Sequence, residues 1–112
     1  MVITPGKTSL DFDSISISFK IRNIGEFAGD EIPQLYIQDE YSSVVSYEKL
    51  LRGFERINLE PDEERVITFT IHQKDLEILN SDMIRVVEPG KFNIFIGSSS
   101  EDIRLKGVLN IY

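Results

Sequence analysis

Apolar and polar residues alternate with a period of two along several short stretches of this chain. In residues 15–21 isoleucine and phenylalanine alternate with serine and lysine, and residues 67–71 and 92–96 repeat the pattern. Successive side chains of a β-strand point to opposite faces, so this alternation is typical of strands with one buried face. No stretch has a helical period of useful length, and we therefore expect a fold built from strands.

Turn-forming residues separate these stretches. Gly25 and Gly29 lie in the first turn, where we expect them to adopt backbone angles that other residues avoid. Pro61 and the Pro89-Gly90 pair mark two later turns. With the weaker extended stretches included, the chain has about seven short strands, and their spacing predicts an all-β fold, an immunoglobulin-like antiparallel β-sandwich.

Three finer features can be read from single residues. Pro33 cannot donate a hydrogen bond to a neighbouring strand, so we expect it at an edge, a strand start or a bulge. Residues 51–59 are predicted to be extended, with Gly53 marking a bulge and giving room beside a large core side chain, Phe54. Residues 74–79 predict a single helical turn.

Size and charge exclude several classes of protein. The chain has 112 residues, which predicts one domain over residues 1–112. Its net charge of −7 and the lack of a basic cluster argue against nucleic acid as a partner. No apolar run is long enough to span a membrane. The chain has no cysteine and shows no signal peptide, which favours a cytoplasmic location.

The titratable residues do not form a recognisable catalytic or metal-binding pattern. His72 is the only histidine, and the acidic pairs fall at turns and strand ends, where carboxylates are usually solvated. These pairs are Asp30-Glu31, Asp39-Glu40, Asp62-Glu63 and Glu101-Asp102. Their spacing does not match a calcium-binding loop. We therefore predict no catalytic residue, no metal site and no cofactor in this chain.

Three segments, in order, carry a resemblance to a known family. They are residues 23–39 (NIGEFAGDEIPQLYIQD), 51–71 (LRGFERINLEPDEERVITFTI) and 86–100 (VVEPGKFNIFIGSSS). Together they resemble the fibronectin type III-like domain of family 3 glycoside hydrolases, the β-glucosidases and β-xylosidases. The chain departs from the family at Asp62, where glycine is frequent, and at Leu50, where an acidic residue is common.

The resemblance implies an accessory domain of a larger enzyme. In such enzymes a barrel domain supplies the catalytic nucleophile and an α/β domain commonly supplies the acid/base residue. These two domains of the same parent chain would be the partners of this one. The chain itself would not be an enzyme, whereas its parent would hydrolyse terminal β-linked glucose or xylose. The accessory domain would pack on the catalytic domains and stabilise them.

The candidate site is the long polar stretch at residues 39–48. It presents Tyr41, Val44, Val45 and Tyr47, and aromatic residues beside apolar ones mark interaction surfaces. We expect this loop to dock on another domain of the parent chain or to shape the substrate entrance.

Two other functions are compatible with the same residues. In a carbohydrate-binding module, Tyr41 and Tyr47 would stack on an oligosaccharide, although the chain lacks the tryptophan that such surfaces often use. A protein-binding adhesion domain is a third interpretation, which the motifs favour less. It is also possible that the tyrosine rings fold back and cover the sandwich.

Overall fold

A computed structural model describes residues 1–9, 12–39, 49–79, 82–98 and 103–111. Within these ranges the chain forms twelve strands and one short 3₁₀ helix, Gln73–Leu76. The strands are β1 (Val2–Thr4), β2 (Lys7–Thr8), β3 (Ile15–Arg22), β4 (Gly29–Glu31), β5 (Gln34–Asp39), β6 (Leu50–Phe54), β7 (Ile57–Leu59), β8 (Glu64–Ile71), β9 (Ile78–Leu79), β10 (Arg85–Val86), β11 (Gly90–Gly97) and β12 (Ile103–Ile111). No helix in the described ranges is long and apolar enough to cross a bilayer.

Two sheets form the body of the fold. The first has the order β1-β3-β8 and the second has the order β2-β12-β11-β5-β6. All neighbouring strands in them are antiparallel except β2 and β12, which are parallel. Two small sheets, β4-β7 and β9-β10, complete the described part. The prediction of an all-β antiparallel sandwich is confirmed, and the described part has twelve strands where about seven were predicted, because several of them are only two or three residues long.

The alternating stretches supply the core between the two sheets. In β3 every second residue from Ile15 to Phe19 is buried. In β8 Ile67 and Ile71 are buried and Phe69 is half-buried, whereas β11 buries Phe92 and all of residues 94–97. Full burial of a side chain of this size contributes about 1.5–3 kcal/mol. The largest fully buried side chains are Ile15, Ile17, Leu35, Leu59, Ile71, Phe92, Ile94 and Leu109.

The extended stretch at residues 51–59 proves to be two strands in different sheets. β6 is the edge of the five-stranded sheet, whereas β7 pairs with β4. The chain changes sheet at Glu55, whose backbone N–H donates to the carbonyl of Pro33 at 3.3 Å. Pro33 directly precedes β5 and so lies at a strand start, which is one of the three positions predicted for it.

The prediction for Gly53 was right about a bulge and wrong about the neighbouring side chain. The register between β5 and β6 shifts at Arg52, one residue before Gly53. Phe54 is not in the core, because it is 69% exposed. The ring beside Gly53 belongs to Phe69, whose Cδ1 would lie 3.2 Å from an added Cβ. The glycine therefore gives room for a ring from the opposite sheet.

Candidate docking surfaces

The predicted loop site lies outside the described residues. Tyr41, Val44, Val45 and Tyr47 all belong to this part, residues 40–48. Its two ends are described: Asp39 ends β5, and Lys49 precedes β6. Residues 40–48 therefore join two neighbouring strands of the five-stranded sheet.

An apolar row crosses the outer face of the five-stranded sheet. Leu51, Tyr36 and Phe95 are neighbours in register on β6, β5 and β11, and they point away from the core. The two rings are only 8% and 7% exposed. The ammonium group of Lys49 lies 5.0 Å from the centre of the Phe95 ring, a cation–π arrangement.

Exposed apolar and basic side chains flank this row. Phe54 pairs with Gln34 at one side, and the largely exposed Val108 pairs with Asn93 at the other. Lys106 pairs with Phe95 and adds a second positive charge beside Lys49. The outer face thus combines apolar side chains with positive charge in a chain whose net charge is −7. We call it the apolar-basic face.

The outer face of the three-stranded sheet has a different composition. Small hydroxyl residues cover it, and the side-chain oxygens of Ser18 and Thr68 are hydrogen-bonded at 3.0 Å. Lys20 and Glu64 form an exposed ion pair at 3.9 Å. Val66 on β8 and Val2 on β1, which pairs with Ser18, are exposed apolar side chains of this surface. Unlike the apolar-basic face, the described part of this surface carries no aromatic side chain.

A second unusual surface lies at one end of the sandwich, in the loop between β3 and β4. Asn23 holds this loop: its Nδ2 donates to the carbonyls of Phe27 and Leu59, both at 2.9 Å, and its Oδ1 accepts from the Gly25 N–H at 2.9 Å. Its backbone carbonyl also accepts from the Asp62 N–H at 2.8 Å. The loop is therefore fixed by hydrogen bonds on both sides of the asparagine.

The predicted backbone angles of this loop were wrong. Neither Gly25 nor Gly29 has a positive φ; the described residues that do are Asp62, Met83 and Gly90. The backbone of Gly25 instead lies so close to Asn23 that an added Cβ would be 3.2 Å from Oδ1.

Charged residues near this loop are mostly paired. Asp30 accepts hydrogen bonds from Asn58 at 2.9 Å and from Arg56 at 2.5 Å, and these two partners lower its pKa. The pKa of Glu63 is lowered by the backbone N–H of Glu60 and by Arg65. These two carboxylates are surface groups engaged in ion pairs, which the sequence did not predict.

One cleft of the described part lacks the pair of carboxylates that glycoside hydrolysis ordinarily requires. A cleft of about 250 Å³ lies between Phe19, Pro33 and Ile96, but Glu31 is the single carboxylate in its lining. Hydrolysis of a glycosidic bond ordinarily requires two flanking carboxylates. His72 is exposed, and its backbone N–H donates to Asp75 at 2.9 Å. No cluster of three potential metal ligands occurs in the described ranges.

Comparison with known proteins identifies the family. The model of the fibronectin type III-like domain matches residues 31–100. A β-xylosidase of Formosa agariphila is 42% identical over 92% of this chain, and thermostable β-glucosidase B of Acetivibrio thermocellus is 45% identical over 86% of it. The chain spans only 15% and 13% of the length of these two relatives. The resemblance stated from the sequence is confirmed.

Solved structures show the same fold within larger chains. A β-glucosidase from Listeria innocua in complex with glucose superimposes with a TM-score of 0.90 at 31% identity, over 99% of this chain and 15% of that chain. The β-D-glucoside glucohydrolase from Trichoderma reesei gives a TM-score of 0.82 at 36% identity, over 88% of this chain and 14% of that chain.

Proposed function

The chain belongs to the fibronectin type III-like domain family, and we propose that it is the non-catalytic accessory domain of a family 3 glycoside hydrolase. The domain covers residues 1–112, and the remaining part of the parent chain holds the catalytic machinery. The relatives named as β-glucosidases and β-xylosidases support this proposal, because the chain aligns with only 13% to 15% of the length of two of them. The parent would hydrolyse terminal β-linked glucose or xylose.

The domain docks on the catalytic domains through the apolar-basic face. The observation that supports this is the group of exposed apolar side chains on the outside of the five-stranded sheet, Leu51, Phe54 and Val108. Such a group gains free energy when a partner removes it from water. We expect residues 40–48, which connect β5 and β6, to extend the contact.

Docking explains this face better than sugar binding does. A ring that stacks on a sugar must present its flat side to solvent. Tyr36 and Phe95 are buried, and Lys49 covers the Phe95 ring. Titration of the isolated chain with cello- or xylo-oligosaccharides should therefore leave its NMR chemical shifts unchanged. Shifts confined to the loop tyrosines would support a carbohydrate-binding module instead.

Removal of the exposed apolar side chains tests the docking proposal. In the full-length enzyme, the double variant Leu51→Ser/Phe54→Ser should lower the midpoint of thermal unfolding of the catalytic domains, because it removes apolar contact area from the interface. In the isolated chain the same change should matter little, since both side chains are already exposed.

Val66→Ser is the matched control, because it also removes an exposed apolar side chain but lies on the hydroxyl-rich face. It should leave the unfolding midpoint unchanged. If the double variant and this control behave alike in the full-length enzyme, the apolar-basic face is not the docking surface.

A further inference from the structure

The fixed loop between β3 and β4 displays two large hydrophobic side chains to solvent. Ile24 is 90% exposed and Phe27 is 82% exposed, the highest values among the exposed large hydrophobic residues of the described part. An exposed apolar side chain by itself is common on protein surfaces. Here two of them lie within four residues of one loop. We call Ile24 and Phe27 the apolar tip.

The apolar tip is preorganised. Asn23 connects the loop to β7 through Leu59 and to the following turn through Asp62. A flexible loop would lose conformational entropy on binding, whereas a loop already held by these hydrogen bonds loses little. The hydrogen bonds of Asn23 thus hold the loop that carries the exposed hydrophobic pair. In a mobile loop the two side chains could fold back onto the protein surface.

The surface around the apolar tip is acidic. Residues 22–31 and 55–65 hold eight carboxylates and three arginines, and thus a net charge of −5 out of the −7 of the chain. Each arginine is bound to a carboxylate: Arg22 to Asp62, Arg56 to Asp30 and Arg65 to Glu63. Glu64 is in turn paired with Lys20, which lies just outside these ranges. The excess negative charge therefore comes from Glu26, Glu31, Glu55 and Glu60, and the exposed Glu26 lies within the tip itself.

We infer that the apolar tip is a second docking element, which inserts into an apolar pocket rimmed by lysine and arginine on another domain of the same parent chain. Charge complementarity selects the basic rim, since the surroundings of the tip are acidic. The intramolecular partner follows from length: about 85% of the relatives lies outside the part that this chain covers, and a tethered partner has a high effective concentration. The inference rests on the proposed function of an accessory domain.

Two docking elements of opposite charge would fix the orientation of the domain. The apolar-basic face alone could slide or rotate on a partner surface. A second contact at the end of the sandwich removes that freedom. The two elements also require different surfaces on the partner, one with negative and one with positive charge, so an inverted arrangement is disfavoured.

Thiol labelling at a position next to the tip tests this inference. Ala28 is exposed and directly follows Phe27, and the chain has no cysteine of its own. Ala28→Cys should therefore report on the tip without altering it. In the full-length enzyme, maleimide should label this residue about tenfold more slowly than in the isolated chain, the factor that roughly 1.4 kcal/mol of docking free energy produces. Peptide mass mapping identifies the labelled site.

Two changes should reverse this protection. In the Ala28→Cys background, Ile24→Ser/Phe27→Ser should restore fast labelling, because the apolar contact is lost. Glu26→Lys should also speed labelling, because it places a positive charge against the basic rim. Equal labelling rates of Ala28→Cys in the isolated chain and in the full-length enzyme would overturn the inference. A Glu26→Lys variant that stays fully protected would contradict the claim that the pocket has a basic rim.

Controls separate this inference from the proposed function. Val66→Cys, on the hydroxyl-rich face, should be labelled equally fast in both contexts, whereas Leu51→Cys, on the apolar-basic face, should be protected in the full-length enzyme. If Leu51→Cys is protected and Ala28→Cys is not, the docking of the apolar tip is refuted and the proposed function is still supported. Loss of protection at both sites would contradict both. Protection that appears in the isolated chain at high concentration would identify a second copy as the partner and overturn the intramolecular contact.

Discussion

Asn23 is the residue that determines the shape of the loop between β3 and β4. Its side chain donates to two carbonyls and accepts from one amide, and its main chain bonds to the turn before β8. The short side chain of asparagine has two hydrogen-bond donors and an acceptor oxygen, a combination that aspartate and serine lack. One residue can therefore close the loop and connect it to β7 at the same time.

Asn23→Ala should lower the free energy of unfolding of the isolated chain by about 2 kcal/mol, because two hydrogen bonds to carbonyls are lost, each worth about 1 kcal/mol net. Urea denaturation measures this directly. Asn58→Ala is the matched control, since its side chain makes one exposed hydrogen bond, to Asp30, and it should cost less than half as much. An equal loss in the two variants would show that Asn23 does not hold the loop.

Some residue-level features could be predicted and others could not. The position of Pro33 before β5 could be predicted, because proline has no backbone N–H to donate to any neighbouring strand. The role of Gly25 could not be predicted from the sequence. Glycine fits there because the nearby Oδ1 of Asn23 leaves little room for a Cβ, and not because the backbone adopts an unusual angle. Asp62 occupies a position with φ of 62°, in the left-handed region that favours glycine. Aspartate tolerates this conformation better than most residues do.

At the scale of elements, alternation identified the strands but not their partners. β3, β8 and β11 follow directly from residues that repeat every second position, since that pattern depends only on one strand and its buried face. The break between β6 and β7 was missed, because the two strands read as one extended segment. Which sheet a strand joins depends on long-range hydrogen bonds, and the local sequence does not contain them.

The close approach of β6 to the opposite sheet predicts a strong effect at Gly53. Gly53→Ala should lower the free energy of unfolding by about 1–3 kcal/mol, because the new methyl group would press on the Phe69 ring, which is stacked on Phe19. Gly29→Ala is the control, since an added Cβ at Gly29 meets no atom within 4 Å. It should be neutral or stabilise the fold by about 0.5 kcal/mol. Thermal or urea unfolding that ranks the two variants in the opposite order would contradict this packing.

At the scale of the whole molecule, charge and apolar surface are unevenly distributed. One sheet face carries lysines around an apolar row, one end of the sandwich carries most of the net negative charge around the apolar tip, and the remaining sheet face carries small hydroxyl residues. This segregation agrees with the proposal that the domain is held between others in one orientation, because each surface would then face a different partner surface.

The candidate site was only partly accessible from the sequence. The loop that contains Tyr41 and Tyr47 was predicted as an interaction surface, because aromatic residues lie there in a polar stretch. Its docking role stays a prediction. The apolar-basic face was hidden, because Tyr36 and Phe95 read as ordinary strand residues until the register showed them side by side on the outside. The apolar tip left a signal that could have been used: Ile24 and Phe27 are large hydrophobic residues in a glycine-containing turn, where polar residues are the rule.

The central claim is that the apolar-basic face is buried against other domains of the parent enzyme. Hydroxyl-radical footprinting of unmodified protein tests it most directly, by comparing side-chain oxidation in the isolated chain with that in the full-length enzyme. Leu51, Phe54 and Val108 should become protected in the full-length enzyme, whereas oxidation of Val66 on the hydroxyl-rich face should not change. Equal oxidation of Leu51 and Phe54 in the two contexts would contradict the claim.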